Sequence, residues 1–468
     1  MTKAFSVALT AEANAILNAH LLRADGQEDL CFAVWHPSSG ASRMTALIHR
    51  LILPNAGERS VHGNVSFNPP YLERAVSEAN RVGGGVALLH SHPDGRGWQN
   101  MSRDDINAEQ GNAPACFGAT GLPLVGMTLA GDGAWSARFW QRVAPRQYER
   151  KDCLSVRVIG DTLAISFYDK LAPRPSFSRA QVRTIASWGE RRHADLARLR
   201  IGVVGAGSVG GMIAEALART GIQRVSAIDF DHIEEHNLDR LVYATKADVG
   251  LLKAEVLASR LQGSATANDF RCDPVIAAVY EDAGFRAALD CDLIFSCVDR
   301  PWGRHVLNLI AYAHLIPVFD GGIAVRSKAN GDLLRADWRA HTCAPGRACM
   351  ACLGQYSTGL VQTEREGMLD DPSYIEGLPR DHALKARENV FAFSMSCASF
   401  QVLQMLNYVL KPLGLPGPGQ QMYHFVGSFM EPTAAASCDA GCPFTAIVAK
   451  GDHCGFDVLG KRPSTSSG

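Results

Sequence analysis

No apolar run in the 468 residues reaches the roughly 18 needed to span a bilayer, so no membrane-spanning role is expected. The N-terminus, MTKAFSVALTAEANAILNAH, lacks the basic-then-apolar layout of a secretory signal. No internal repeat is visible, which argues against a solenoid or array. Net charge is nearly absent as well: 46 Lys and Arg against 47 Asp and Glu give −1. That balance steers the chain neither to nucleic acid nor to an anionic membrane. Hydrophobic residues make up 47% and charged residues 20%, an ordinary globular mixture. The length exceeds what one hydrophobic core accommodates, so two or three domains are expected.

What is plentiful is cysteine, with thirteen in the chain. Without an export signal, a reducing cytoplasm and a metal site account for them better than a disulfide framework. The expected location is therefore cytoplasmic.

Residues 1–160 alternate short apolar segments with turns. FAVWH, ALIHRLIL, GVALLH and ARFWQRV read as strands and YLERAVSEANRV as a helix. The N-terminal stretch reads as an amphipathic first helix with Ile16, Leu17 and Leu21 turned inward. A Pro- and Arg-rich segment, KLAPRPSFSRAQ, falls within an expected linker and N-terminal arm at 161–185. From 186 to 455 the rhythm changes: RIGVVG, RVSAIDF, DLIFSCVD and IPVFDGG are short strands spaced by helices, as in a parallel doubly wound α/β sheet. Residues 354–388 are polar and weakly patterned and read as a long mobile loop. NVFAFSMSCASFQVLQMLNYVL reads as a buried helix, and 456–468 as a disordered tail.

Two clusters carry chemistry. The first is LLHSHPDGRGWQNMSRDD, from Leu88 to Asp105. Alternate side chains of a strand share a face, so His90 and His92 can aim at one point. Ser102 and Asp105, three apart, share a face if a helix starts there. Two imidazoles and a carboxylate leave a fourth tetrahedral position for water, the arrangement of a catalytic zinc. This pattern, with an upstream Glu, resembles the JAB/JAMM metallopeptidase family. The resemblance implies that His90, His92 and Asp105 bind zinc, that Ser102 steadies the oxyanion, and that Glu28 is the general base. Glu58, Glu73 and Glu78 compete with Glu28 for that role. Nine residues, PDGRGWQNM, separate His92 from Ser102, a longer loop than the family pattern has. A site that lost its activity and only docks a partner is the alternative.

The second cluster is RIGVVGAGSVGG. Gly205 permits a tight turn, Gly207 admits phosphate close to the backbone, and Gly210 lets helix and strand pack. Asp229, at the end of the next strand, suits a ribose hydroxyl. These features alone leave NAD and ATP both open. Beyond them lie Asp231, Asn237, Arg240 and Lys253, then Asp299 at the end of a later strand. Hydride transfer needs no such cations or second acid, whereas attack on the α-phosphate of ATP uses both, with an acid holding Mg2+. Taken in order, this constellation resembles the ThiF/MoeB/HesA family of ubiquitin-activating-enzyme relatives. The resemblance implies that Asp229 binds ribose, that Asn237, Arg240 and Lys253 hold the phosphates, and that Asp299 coordinates magnesium. It implies further that Arg179 reaches into the partner's site of a homodimer. The implied substrate is a ubiquitin-like or sulfur-carrier protein ending in Gly-Gly. A conjugating enzyme or sulfurtransferase would follow it. An NAD-dependent oxidoreductase is the remote alternative.

CMAC and CDAGC supply two cysteine pairs, Cys349/Cys352 and Cys438/Cys442, which suit a tetrahedral structural zinc. Cys454 is a possible substitute ligand. The loop 354–388 contains no cysteine, so no covalent relay is evident there. Cys397 reads as core, and Cys343 lies nearer the zinc pair than the loop. Together the halves imply a bifunctional chain: a zinc peptidase that trims or deconjugates a carrier, and an adenylyltransferase that activates it.

Overall fold

The computed structural model describes residues 3–62, 64–328, 330–370, 376, 389–415, 417–433 and 436–462. It divides into two compact units. The first comprises 1–174 with 313–315 and 446–455; the second comprises 175–312, 316–445 and 456–468.

The first unit opens on a strand, β1 (Ala4–Thr10), and only then turns into helix α1 (Ala11–Leu21). The expectation of one helix across this stretch is thus corrected. SVAL is buried in the sheet, and Thr10 caps α1 through its side chain. Leu17 and Leu21 point inward, whereas Ile16 is 43% exposed and faces out. Strands β2 (Leu30–Ser39), β3 (Arg43–Ile52), β6 (Gly85–His92), β7 (Leu124–Ala130), β8 (Trp135–Ala144) and β9 (Gln147–Asp152) follow. With β10 (Ser155–Ile159) and β11 (Leu163–Phe167) they form a nine-stranded mixed sheet, ordered β11-β10-β1-β3-β2-β6-β7-β8-β9. A separate hairpin joins β4 (Arg59–His62) to β5 (Asn64–Phe67).

Both faces of the sheet are covered. On β2, Cys31, Ala33 and Trp35 join the cluster that holds Leu17 and Leu21 of α1. Phe32 and Val34 point the other way, into a cluster with Tyr71, Ala75 and Ala79 of α2 (Pro69–Arg81) and Ala113 and Cys116 of α3 (Arg103–Thr120). The unit is therefore three layers, helix on sheet on helix. Strand β6 shows the same alternation, and its even-numbered residues Val86 and Leu88 face α2 and α3.

In the second unit the sheet order is β14-β13-β12-β15-β16-β17-β18-β19. Strands β12 (Arg200–Val204), β13 (Arg224–Ile228), β14 (Arg271–Val275), β15 (Leu293–Ser296) and β16 (Val318–Ser327) run parallel. Read along the sheet that is 3-2-1-4-5, the Rossmann-like order, with its topological switch between β12 and β15. Strands β17 (Leu333–Cys343), β18 (Gln421–His424) and β19 (Phe429–Pro432) extend it antiparallel. Helices α6 (Ser208–Thr220), α7 (Lys253–Ser264), α8 (Asp282–Leu289) and α9 (Pro301–Ala313) alternate with the parallel strands. Short helices α4 (Val182–Trp188) and α5 (Glu190–Ala197) precede them.

The polar stretch after Gly354 is not all loop. Helix α10 (Thr358–Arg365) occupies its start, with Val361 and Glu364 buried; residues 371–375 and 377–388 lie outside the described residues. Helix α11 (Phe391–Leu410) is buried on one face through Phe393, Cys397, Gln401 and Met405, but Met395 and Leu403 are exposed. Among the described residues no helix is long and apolar enough to cross a membrane.

Candidate active sites

In the first unit the strand alternation decides where the histidines go. His90 and His92 continue the even-numbered face of β6 toward α3, while Ser91 points to the opposite side and accepts a hydrogen bond from the Asp29 amide at 3.0 Å. Ser102 begins α3 as its N-cap. Its hydroxyl oxygen accepts from the Asp105 amide at 3.1 Å, and the Asp105 carboxylate accepts from the Ser102 amide at 2.8 Å. This capping box fixes Asp105 at the helix start and leaves the Ser102 hydroxyl proton free to donate.

The result is convergence. Asp105 Oδ1 lies 3.5 Å from His90 Nε2, and Asp105 Oδ2 lies 3.4 Å from His92 Nε2. One ligand atom from each of the three falls within 4.8 Å of the others. Two donors on a tetrahedral zinc with bonds near 2.0 Å stand ~3.3 Å apart, so both the donor set and the spacing fit zinc. Glu28 Oε1 is 4.0 Å from His92 Nε2. Burial raises the Glu28 carboxyl above its ordinary range, which suits a proton acceptor. Burial alone would raise Asp105 too, but hydrogen bonds from both histidines pull it well below the usual carboxylate range. The Asp105 bond in turn raises His92.

The competing acids are engaged elsewhere. Glu58 takes the Arg74 guanidinium, Glu78 pairs with Arg50 and Arg81, and Glu73 is exposed on α2. The longer loop from Pro93 to Met101 is pinned at several points. The Gly97 amide donates to Asp132 at 2.9 Å, the Gln99 amide donates to Ser136 at 2.6 Å, and Trp98 stacks on Tyr168 with ring centroids 4.9 Å apart.

In the second unit the glycine turn sits at the switch point. Gly205 adopts φ +95, a left-handed conformation, and a Cβ there would stand 2.6 Å from the Cys297 carbonyl. Only glycine serves both demands. At Gly210 an added methyl would overlap the Gly205 carbonyl oxygen, whereas at Gly207 it would meet nothing within 4 Å. The Asp229 carboxylate accepts from the Ala206 amide at 2.6 Å and from the Asp231 amide at 2.7 Å. Burial, then the neighbouring Asp231, raises its carboxyl above the ordinary range. Lys253 Nζ donates to Asp231 Oδ2 at 2.8 Å. The Tyr243 hydroxyl donates to the Ala206 carbonyl at 2.6 Å, which ties the segment 237–243 to the turn.

Not every expected residue converges. Asn237 is buried and its side chain accepts from the Glu234 amide at 3.1 Å. Arg240 turns to the His236 carbonyl at 2.7 Å and to Asp239 at 2.9 Å. Asp299 is exposed two residues past Cys297, on the same edge of the sheet as the turn. Arg179 lies elsewhere. Its neighbour Gln181 packs on Gly221, at the far end of α6 from the glycine turn. Thirteen residues of helix put that end ~20 Å away.

The cysteine pairs do converge, with all four sulfurs within 4.8 Å. Cys349 and Cys442 stand 3.7 Å apart, against ~3.8 Å for thiolates on a tetrahedral zinc with 2.3 Å bonds. Gly441, at φ +80, supplies the bend that accommodates the three-residue spacer in CDAGC. Cys454 lies in the other unit and does not join this group. Sequence reasoning missed Glu364, whose buried carboxylate accepts from the Trp302 amide at 2.8 Å. Burial, opposed by that bond, raises it to about 7.

A family model described as the ThiF family matches residues 179–439, more than half of the chain. The chain belongs to the ThiF family. Among curated relatives, it is 44% identical over 79 residues to the Escherichia coli tRNA threonylcarbamoyladenosine dehydratase, covering 17% of this chain and 30% of that protein. It is 29% identical over 154 residues to the SAMP-activating enzyme E1 of Haloferax volcanii, covering 33% of this chain and 53% of that protein. The match thus spans about half or less of the length of these relatives. Of solved structures, E. coli MccB with ATP aligns at 16% identity and TM-score 0.41, over 56% of this chain and 73% of that one. ThiF-family membership goes against the nicotinamide-dependent alternative.

Proposed function

We propose that the chain activates, and also trims, the C-terminal tail of a ubiquitin-like or sulfur-carrier protein ending in Gly-Gly. The observation that carries the reading is the pair of organised sites: a glycine turn locked to Asp229 at the sheet's switch point, and the His90/His92/Asp105 cluster in the first unit. Names among the relatives, an activating enzyme and the mouse adenylyltransferase and sulfurtransferase MOCS3, support the activating half.

In that half, the carrier's carboxylate oxygen attacks the α-phosphorus of ATP. An O–P bond forms, the bond to the β-phosphate oxygen breaks, and pyrophosphate leaves. Asp229 would accept from the ribose. Asn237, Arg240 and Lys253 would offset the phosphate charge once Arg240 and Lys253 turn from Asp239 and Asp231. Asp299 would hold Mg2+, which neutralises the triphosphate. Arg179, remote from this chain's own turn, would serve the site of a second copy. Cys397 does not offer a ready nucleophile: it is buried, and burial pushes its thiol up to about 12. The adenylate would therefore pass to a sulfurtransferase or conjugating enzyme.

In the hydrolytic half, His90, His92 and Asp105 would hold a zinc ion, which supplies Lewis acidity toward water and the scissile carbonyl. Glu28 would take the proton from water, and Ser102 would donate to the carbonyl oxygen as negative charge develops on it. The four cysteines would hold a second, structural zinc.

The full chain, with ATP, Mg2+ and a Gly-Gly carrier, is expected to show carrier-dependent pyrophosphate exchange. Exchange driven by tRNA instead would favour a second reading suggested by the E. coli dehydratase match, in which the activated carboxylate belongs to a nucleoside. No exchange with either would end the activating half.

A further inference from the structure

Half-buried Asp105 shares one face of α3 with the buried residues Glu109, Ala113 and Cys116. Glu109 is an acid deep in an apolar layer, 1% exposed. Its carboxylate takes three donors: Arg138 Nε at 2.9 Å, Arg138 Nη2, and Trp140 Nε1 at 2.7 Å. Opposite it on β7 is Gly126, where any Cβ would overlap the Glu109 carboxylate. Arg138 is itself buried, and its remaining Nη1 donates to Thr128 Oγ1 at 2.7 Å. Thr128 sits beside His90 in the parallel pairing of β6 and β7, and its Oγ1 lies 3.4 Å from His90 Nε2. A single chain of contacts therefore runs from the helix bearing Asp105, through the sheet, to the nitrogen of His90 that faces Asp105.

A buried ion pair of this kind is often replaceable by apolar residues at no cost in stability, so stability does not explain it. Position does. A slip of one residue along α3 would move Asp105 ~1.5 Å and turn it ~100° away from the histidines. A bidentate guanidinium with an indole donor admits one register only.

We propose that Glu109, Arg138 and Thr128 are positioning residues that set the ligand geometry, and hence the zinc affinity, of the His90/His92/Asp105 site. The proposal rests on the reading of those three as metal ligands, and the experiment separates the two. Zinc is first counted on the full chain: two ions are expected for the wild type and one for His92→Ala. One ion in the wild type would overturn the reading and the proposal together. Zinc affinity is then measured by chelator competition, and ligand geometry by the visible spectrum of the cobalt-substituted protein. Thr128→Val keeps shape and removes only the hydroxyl. Because that hydroxyl abuts the very nitrogen that would bind the ion, the variant is expected to retain the melting temperature while changing affinity at the histidine site by roughly 10-fold or more, with a shifted cobalt band. The cysteine site should be unchanged. The double variant Glu109→Gln/Arg138→Met, which removes both charges, is expected to recover stability over Glu109→Gln alone but not affinity. Thr128→Val stands as the test even where the charge variants fail to fold. Wild-type affinity and spectrum in folded Thr128→Val and in the double variant would overturn the proposal while leaving the metal site intact.

Discussion

Gly207 and Gly210 are three residues apart in one turn, and the structure assigns them opposite sensitivities. At Gly210 a methyl would stand 3.0 Å from the Gly205 carbonyl carbon and 3.2 Å from Val203 Cγ1, besides overlapping the carbonyl oxygen. Ordinary carbon contacts lie at ~3.5–4.0 Å, and the obstacle is backbone, so either the turn or the start of α6 must move. Overpacking of this kind costs about 1–3 kcal/mol. In a unit of this size that lowers the melting temperature by ~2–4 °C per kcal/mol. Gly207 has φ −69 and would meet nothing within 4 Å. Alanine fits there with only a cap-position penalty below about 1 kcal/mol, yet its methyl would point into the space that a phosphate needs. Gly210→Ala should therefore lower the melting temperature of the free protein and also reduce its stabilisation by ATP. Gly207→Ala should leave the free protein nearly unchanged and lose the ATP-dependent shift, which follows RT ln(1 + [L]/Kd). Differential scanning fluorimetry with and without Mg-ATP reads both. A Gly207→Ala protein with the wild-type ATP shift would refute the phosphate-cradle argument.

Two further outcomes follow from other parts of the molecule. Cys438→Ser should remove one zinc ion per chain by elemental analysis and lower the melting temperature, because the four sulfurs tie residues 349–352 to 438–442; unchanged zinc content would contradict this. Glu364 gives a pH dependence of definite sign. Burial pushes its carboxyl up to about 7 in the folded protein, from an ordinary 4.5. The folded state therefore holds its proton more tightly, and the stability this contributes is lost as pH rises through 7. Glu364→Gln should match the wild type at pH 4 and exceed it at pH 8, by about 3 kcal/mol at most. A pH-independent difference in denaturant midpoints would contradict that assignment.

Much of the second unit was legible because its signals are local. RIGVVG followed by GSVGG must turn tightly and start a helix, and the next strands carry continuous apolar runs that only a two-sided burial explains. GVALLHSH was legible for a similar reason: period-two alternation carries both histidines to one face regardless of what lies beyond. Asp105 was legible through its three-residue spacing from Ser102, which puts both on one face of a helix starting there. What escaped depends on distant pairing. Residues 4–10 look as helical as those after them, and only the neighbours β3 and β10 make them a strand. Residues 446–455 follow the cysteine pairs in sequence yet pack in the first unit, where Gly451 lies against Pro37 and Leu47. Glu109 and Arg138 are 29 residues apart and match no short motif. Helical spacing from Asp105 could have flagged Glu109, but nothing local points to Arg138 or Thr128.

In the proposed function, one chain both exposes and activates the same tail. Intact-mass spectrometry on the full chain with ATP, Mg2+ and a carrier precursor extended beyond Gly-Gly tests that directly. The wild type should yield trimmed carrier and its adenylate, and His92→Ala should yield neither from the precursor yet still adenylylate carrier supplied already trimmed. A precursor left uncut by the wild type, or pre-trimmed carrier left unmodified, would contradict it.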